Sequence, residues 1–150
     1  MIHHLHTEIE IDAPADVVWD VLTDLDGYSS WNPFVIEAGG SVAVGERLHN
    51  RLQPPGGRAM TFRPTVTEVE PARVFEWLGR LGLPRLFDGR HRFALVALDD
   101  HRTRLVQSEH FRGVFVRPMK RSLDTATLAG FDAMNEALKA RAEARVGAAS

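Results

Sequence analysis

The sequence predicts an α+β fold: one curved antiparallel sheet of about six to seven strands wrapped around a long C-terminal helix, with two short helices after the first strand. Three observations carry this. Residues 4–11 alternate in polarity, a run of strand-like segments separated by turn residues fills the middle, and an amphipathic stretch interrupted only by Gly130 occupies the tail. Only that tail is long enough to lie across a sheet of this size, so helix and sheet must bury each other's apolar faces.

Taken in order, Leu5, Thr7, Ile9 and Ile11 share one face of the opening segment, and His4, His6, Glu8 and Glu10 the other. Period two with one polar face marks a half-buried strand. Asp12-Ala13-Pro14 stops it: Asp12 is suited to cap a helix and Pro14 to sit in its first turn. Val17, Val18, Val21, Leu22 and Leu25 then form a helical stripe, with Trp19 as a packing residue on its edge and Asp26-Gly27 as the stop. Residues 28–32 (Tyr-Ser-Ser-Trp-Asn) read as a second short helix, broken by Pro33.

The strand-like segments are Phe34–Ala38, Val42–Leu52, Thr61–Glu70, Arg73–Leu81, Gly89–Leu98 and Thr103–Phe111. Their punctuation is Gly39-Gly40, Pro54-Pro55-Gly56-Gly57, Glu70-Pro71, the stretch from Gly82 to Pro84, and Asp99-Asp100. Short connectors predict an antiparallel meander, and Pro64 marks an edge or a bulge. From Val116 or Pro118 to Val146, the apolar residues Met119, Leu123, Leu128, Phe131, Met134, Leu138 and Ala142 recur at steps of three to five. That is an amphipathic helix of roughly 40 Å, interrupted only by Gly130. Lys139, Arg141 and Arg145 lie near its C-terminus, where cations suit the helix dipole. Gly147 to Ser150 are small residues expected to fray.

The chain has 150 residues, 44% hydrophobic and 25% charged, with 18 Lys+Arg against 20 Asp+Glu. That length predicts one domain, residues 1–150, burying roughly 70% of its unfolded surface, enough for a core and a cavity within it. A net charge of −2 excludes strong non-specific attraction to nucleic acid and gives no polybasic membrane anchor. No cysteine is present, which excludes disulfides, thiolate nucleophiles and Cys-ligated metal centres. A cytoplasmic location is compatible with this. The N-terminus does not read as a signal peptide, and no stretch approaches the ~18 apolar residues of a membrane span. Neither nucleic acid nor membrane is expected as a partner, and a homodimer through sheet edges is compatible with the pattern.

The order of elements, together with three motifs, resembles the SRPBCC or START-like superfamily across nearly the whole chain. Residues 9–19, Ile-Glu-Ile-Asp-Ala-Pro-Ala-Asp-Val-Val-Trp, are similar to its first strand and helix entry. Residues 24–34, Asp-Leu-Asp-Gly-Tyr-Ser-Ser-Trp-Asn-Pro-Phe, are similar to its second helix, and residues 66–71 with Phe75 and Trp77 to a mid-sheet hairpin. Within the superfamily, the segments around Trp77–Arg80, Gly89–Phe93, Glu109–Gly113 and Phe131–Asn135 resemble the bacterial polyketide cyclase/dehydrase-like branch. The resemblance implies a helix-grip fold and a cavity for a small hydrophobic molecule. It does not imply one reaction, because members share the fold and differ in chemistry.

Strand alternation places the candidate lining. Phe75, Trp77 and Gly79 share a face, as do His91, Phe93 and Leu95; Leu105, Gln107, Glu109 and Phe111; and Met60, Phe62 and Val66. If these faces are concave they meet Leu123, Phe131 and Met134 of the tail helix, giving either an apolar pocket with few polar groups or a filled core. Trp31, Asn32 and Phe34 belong to the second-helix region, which in the superfamily borders the cavity mouth. Trp31 is then a cover or an anchor, and Asn32 a hydrogen-bonding group. His91 and Glu109 lie on strands joined by one turn, so a compatible register brings them together. Such a pair is suited to acid–base chemistry, or orients the sheet.

No metal site is expected. His3, His4 and His6 crowd the first strand, but a catalytic zinc site needs three well-placed ligands and Glu8 and Glu10 extend the same solvated face. No cofactor motif is present; Pro54-Pro55-Gly56-Gly57 is not a phosphate loop, and no elbow surrounds Ser108. Arg112, Arg117, Lys120 and Arg121 form a basic cluster that reads as a solvated face, with Asp124 as its expected acidic neighbour. Three readings follow: a carrier or sensor for a hydrophobic molecule, a cyclase/dehydrase-type enzyme using His91 and Glu109, and a protein-interaction module like the Hsp90-activator domains.

Overall fold

In a computed structural model that describes residues 2–149, strand β1 (Ile2–Ile11) buries Leu5, Thr7 and Ile11 and exposes His4, His6, Glu8 and Glu10. The period-two pattern is obeyed. Helix α1 (Ala15–Thr23) buries Val18, Val21 and Leu22. Its N-cap is Pro14 and makes no side-chain cap bond. Asp12 therefore does not cap it. Its backbone N–H donates instead to Glu143 Oε2 at 2.8 Å, tying this turn to the C-terminal helix. The second short helix is a 3₁₀ segment at Leu25–Ser30, earlier than the sequence pattern placed it. Asp26-Gly27 lies within that segment. Tyr28 is fully buried there and donates its hydroxyl proton to the Leu22 carbonyl.

Seven further strands follow: β2 (Val35–Gly39), β3 (His49–Leu52), β4 (Met60–Phe62), β5 (Thr65–Glu70), β6 (Val74–Arg80), β7 (Asp88–Ala97) and β8 (Thr103–Arg112). They form a five-stranded sheet, β1-β8-β7-β6-β5, and a three-stranded sheet, β2-β3-β4. All pairings are antiparallel, and an isolated bridge between Arg47 and Thr65 joins the sheets.

The strand count is eight among the described residues, above the expected six to seven, for a local reason. Proline has no N–H for a ladder. The expected strand Thr61–Glu70 breaks at Pro64, sending β4 to the small sheet and β5 to the large one. The expected strand Val42–Leu52 enters the sheet only at His49. Gly40 and Gly45 sit at φ +115 and +91, a conformation that glycine alone adopts readily. The Ala43 and Glu46 amides are used up in local turns.

The tail is helical throughout: α2 (Val116–Ser122), one π-helical turn (Leu123–Thr127) and α3 (Leu128–Ala149). A π turn holds an extra residue. It coincides with the five-residue step from Leu123 to Leu128 in the apolar pattern. Gly147–Ala149 continue the helix instead of fraying, and Ser150 lies outside the described residues. Phe131, Met134, Leu138 and Ala142 are fully buried, and α3 packs on β1 and α1. Gly130 makes room for Phe34: a Cβ there would stand 2.4 Å from the Phe34 ring. Among the described residues no helix is long and apolar enough to cross a membrane.

Registers in the large sheet align its inward side chains in rows. One row runs Trp77, His91, Glu109, Leu5; the next runs Phe75, Phe93, Gln107, Thr7. A third, at the other side of the first, runs Gly79, Gly89, Phe111, His3. These rows decide where the fold is filled and where it is hollow.

Candidate functional site: a cavity with a buried histidine–carboxylate pair

The row ending in glycines cannot fill the space above it. Gly79 and Gly89 contribute no side chains, and a cavity of about 200 Å³ opens there between the large sheet, the small sheet and the α2–π segment. Its wall is mainly apolar and aromatic, with Phe34, Phe62, Trp77, Phe111, Met119 and Leu123 prominent. Aromatic and Met side chains of this kind accept varied apolar shapes.

The polar part of the wall is compact. His91 Nδ1 lies 2.8 Å from Glu109 Oε1, and His91 Nε2 lies 3.0 Å from Gln107 Oε1. The Gln107 amide nitrogen donates to the Phe131 carbonyl at 3.3 Å and to Asn135 Oδ1 at 2.6 Å. The Asn135 amide donates to Thr7 Oγ1 at 2.9 Å, and the Thr7 hydroxyl donates to the Gln107 carbonyl at 2.8 Å. The Phe131 carbonyl can only accept, which fixes the Gln107 amide with its oxygen toward His91. Both nitrogens of the His91 ring thus face oxygen acceptors. Nε2 carries a hydrogen, and one hydrogen lies between Nδ1 and Glu109. The pair is one proton-sharing unit, anchored through the core to both sheet and helix.

Packing holds this unit still. The His91 side chain is 4% exposed and that of Glu109 15%. Trp77 stacks on the His91 ring with centroids 5.0 Å apart and planes at 15°, and Phe131 meets it edge-on at 4.9 Å. Glu109 Oε2 makes no hydrogen bond among the described residues. It lies over Gly89, where a Cβ would be only 2.1 Å from it. One carboxylate oxygen is therefore held by His91, and the other is free on a cavity wall.

Several residues singled out in the sequence meet at this cavity: Phe34, Met60, Phe62, Trp77, His91, Glu109, Phe111 and Leu123 all line it. Others do not reach it. Phe75, Phe93, Gln107, Phe131 and Met134 are filled core behind the wall. Trp31 is half-buried against Tyr28, with centroids 5.2 Å apart. Asn32 Oδ1 accepts the Phe34 and Val35 amides, both at 2.9 Å, and so shapes the entry to β2 away from the cavity. Gly79, grouped with Trp77 by strand alternation, lines the cavity too, whereas sequence reasoning passed over Asn50, Gly89 and Phe87, which also line it. Paired glycines at equivalent positions of neighbouring strands were the available signal for a hollow. A polar residue in the Leu48, Asn50, Leu52 alternation was the signal for Asn50.

The remaining polar clusters are of another kind. On the outer sheet face His4 stacks on His110 at 4.1 Å, and His6 bonds Glu8 at 3.0 Å. Among the described residues no three His, Cys, Asp or Glu side chains are grouped to hold a metal ion. Arg112, Arg117, Lys120 and Arg121 are exposed and make no ion pair among the described residues. Asp124, expected beside them, bonds His3 at 2.6 Å instead.

Residues 3–143 match the family model described as polyketide cyclase / dehydrase and lipid transport. No curated protein sequence matches the chain. Among solved structures, the Zhui aromatase/cyclase from Streptomyces sp. R1128 superposes with a TM-score of 0.81 at 22% identity, covering 97% of this chain and 96% of that one. A norcoclaurine synthase from Thalictrum flavum, a point mutant with a transition-state analogue, gives 0.74 at 17% identity, covering 97% and 96%. A START superfamily protein from Mycobacterium smegmatis gives 0.72 at 20% identity, covering 94% and 97%. At these identities the likeness is one of fold, the helix-grip arrangement.

Proposed function

We propose that this chain, which belongs to the polyketide cyclase / dehydrase and lipid transport family, binds one small and mainly apolar molecule in the cavity and moves a proton on it in a cyclase- or dehydrase-type step. The observation that carries this is the free Oε2 of Glu109 on an apolar wall, with Oε1 held by His91. A purely apolar guest covering that oxygen would strip it of water, at a cost of about 1–3 kcal/mol or more. A guest presenting a hydroxyl, or an acidic C–H beside a carbonyl, faces no such penalty. Glu109 accepts that proton, and His91 fixes the carboxylate and answers its change of charge through the shared hydrogen. Positioning by the aromatic wall supplies the rest, as in any site that works by holding a chain in one fold.

The test uses a tetralone, whose C–H bonds beside the carbonyl are acidic, and follows by NMR their exchange into deuterated water. Wild type accelerates exchange. Glu109→Gln loses roughly 10²–10⁴ of that acceleration, the usual worth of a positioned base. His91→Gln loses less, because the carboxylate remains. Tetralone binding without any acceleration would contradict the catalytic reading.

A carrier remains the second reading, and the extent of the apolar wall favours it. It predicts saturable binding of the same tetralone with no exchange above background. An interaction module like the Hsp90-activator domains calls for no cavity, so the hollow above Gly79 and Gly89 lends it no support.

A further inference from the structure

Asn50 has no role in the proton step, yet it carries one of three buried polar side-chain atoms without a partner among the described residues. It sits in β3, paired in register with Ala38 and Phe62. Its side chain occupies the inward place between Leu48 and Leu52, where the strand pattern calls for an apolar residue. It is 2% exposed, and its Oδ1 has no hydrogen-bond partner among the described residues. Two other buried polar atoms share that condition, Asn32 Nδ2 and Asp88 Oδ1. Asn32 already uses its oxygen twice, and Asp88 lies 3.7 Å from Arg80 and accepts the Arg85 amide. Neither lines the cavity. Asn50 does, beside Leu52 and Phe62 on the small sheet, whereas Glu109 stands on the large one.

We propose that Asn50 is a second polar contact for the guest, and that the cavity takes a small ring compound bearing two hydrogen-bonding groups, one for Glu109 and one for Asn50. This rests on the reading of the cavity as a binding site. The unpaired atom is the amide oxygen, an acceptor, so a guest hydroxyl that donates to it satisfies it. A buried polar group without a partner is costly, and a guest that bonds Asn50 removes the cost. Of the other polar groups on the wall, His91 is committed to Glu109 and Gln107, and Arg80 to Asp88. The hydroxyl residues Ser122 and Thr127 are exposed and half-buried, respectively, and so keep access to water. The volume of about 200 Å³ falls below the ~300–1,000 Å³ of drug-sized sites. One or two rings fit that limit. The class is a dihydroxyarene, with one hydroxyl donating to each oxygen.

The experiment measures dissociation constants by calorimetry for naphthalene, a naphthol, and the set of dihydroxynaphthalene isomers. Proteins are wild type, Asn50→Leu and Asn50→Ser. In wild type the best dihydroxy isomer binds roughly tenfold tighter than the naphthol, the worth of one good hydrogen bond. In Asn50→Leu that advantage disappears, while naphthalene binds at least as well as to wild type. Asn50→Ser, smaller and still polar, keeps part of the advantage and guards against a leucine variant that fails to fold. An advantage for the second hydroxyl that survives in Asn50→Leu overturns the proposal. So does an equal loss for all three probes, which would mark Asn50 as structural only. If naphthol and naphthalene both fail to bind wild type, the cavity reading itself falls, and this inference with it.

Discussion

Replacing Gly89 by alanine separates the fold from the chemistry. The added Cβ would lie 2.1 Å from Glu109 Oε2 and 3.2 Å from its carboxyl carbon, with Phe111 at an ordinary 3.5 Å. Gly89 does not occupy the left-handed region, so alanine meets no backbone strain. The obstacle is the far end of one flexible side chain, which can swing aside. Gly→Ala gains about 0.4–1 kcal/mol by restricting the unfolded chain, set against an overpacking cost of about 1–3 kcal/mol that falls as Glu109 yields. The net change is within about 1 kcal/mol, a Tm shift of about 2–4 °C for a domain of this size. The displaced carboxylate leaves His91 Nδ1, however, and proton transfer falls at least tenfold in the tetralone exchange assay. Gly39→Ala, with nothing within 4 Å of its added Cβ, is the control and retains both stability and exchange. A Gly89→Ala protein exchanging at the wild-type rate would refute the claim that this glycine places the carboxylate. A Tm loss above about 10 °C would show that the position serves the fold instead.

Asn135→Ala should lower stability by about 1–3 kcal/mol, read as a denaturant midpoint shift, because Gln107 and Thr7 each lose a buried partner. Gly130→Ala should also destabilise: the gain of about 1 kcal/mol in helix propensity is outweighed by collision with Phe34, and chemical denaturation checks the sign. Glu76 sets an acid limit. Burial alone would raise its carboxyl pKa, but hydrogen bonds from Arg90, Arg92 and Thr67 outweigh that and hold it below the usual glutamate value. The stability from this depressed pKa is fully present above the ordinary glutamate value and is lost as pH falls through the folded one. Glu76→Gln should therefore flatten the Tm profile in that acidic window, and a profile parallel to wild type would contradict the assignment.

Much of this was legible because it depends on period. Alternation in residues 4–11 named the buried face of β1, and the strands near residues 73–111 were bounded correctly to within a residue or two. The same alternation grouped Trp77 with Phe75, His91 with Phe93 and Glu109 with Phe111, but left open whether those faces turn inward. What stayed hidden depends on register and on backbone conformation. Whether His91 meets Glu109 or passes it follows from the β7–β8 pairing, which no single strand reveals. The loop at residues 40–48 has enough apolar residues to imitate a strand, and only the positive φ of Gly40 and Gly45 denies it. Phe75, Phe93 and Met134 carry the same alternation and helical spacing as the true wall. They fall behind it because the hollow lies beside Gly79 and Gly89, one row further along the sheet.

Side-chain NMR of Glu109 and His91 during a naphthol titration reaches the central claim directly, through the carboxyl carbon of one and the ring nitrogens of the other. The account predicts that both resonances move and saturate with the guest, while the carboxyl carbon of Glu76, on the opposite sheet face, stays still. Saturable binding that leaves Glu109 and His91 unmoved would place the guest elsewhere and contradict it.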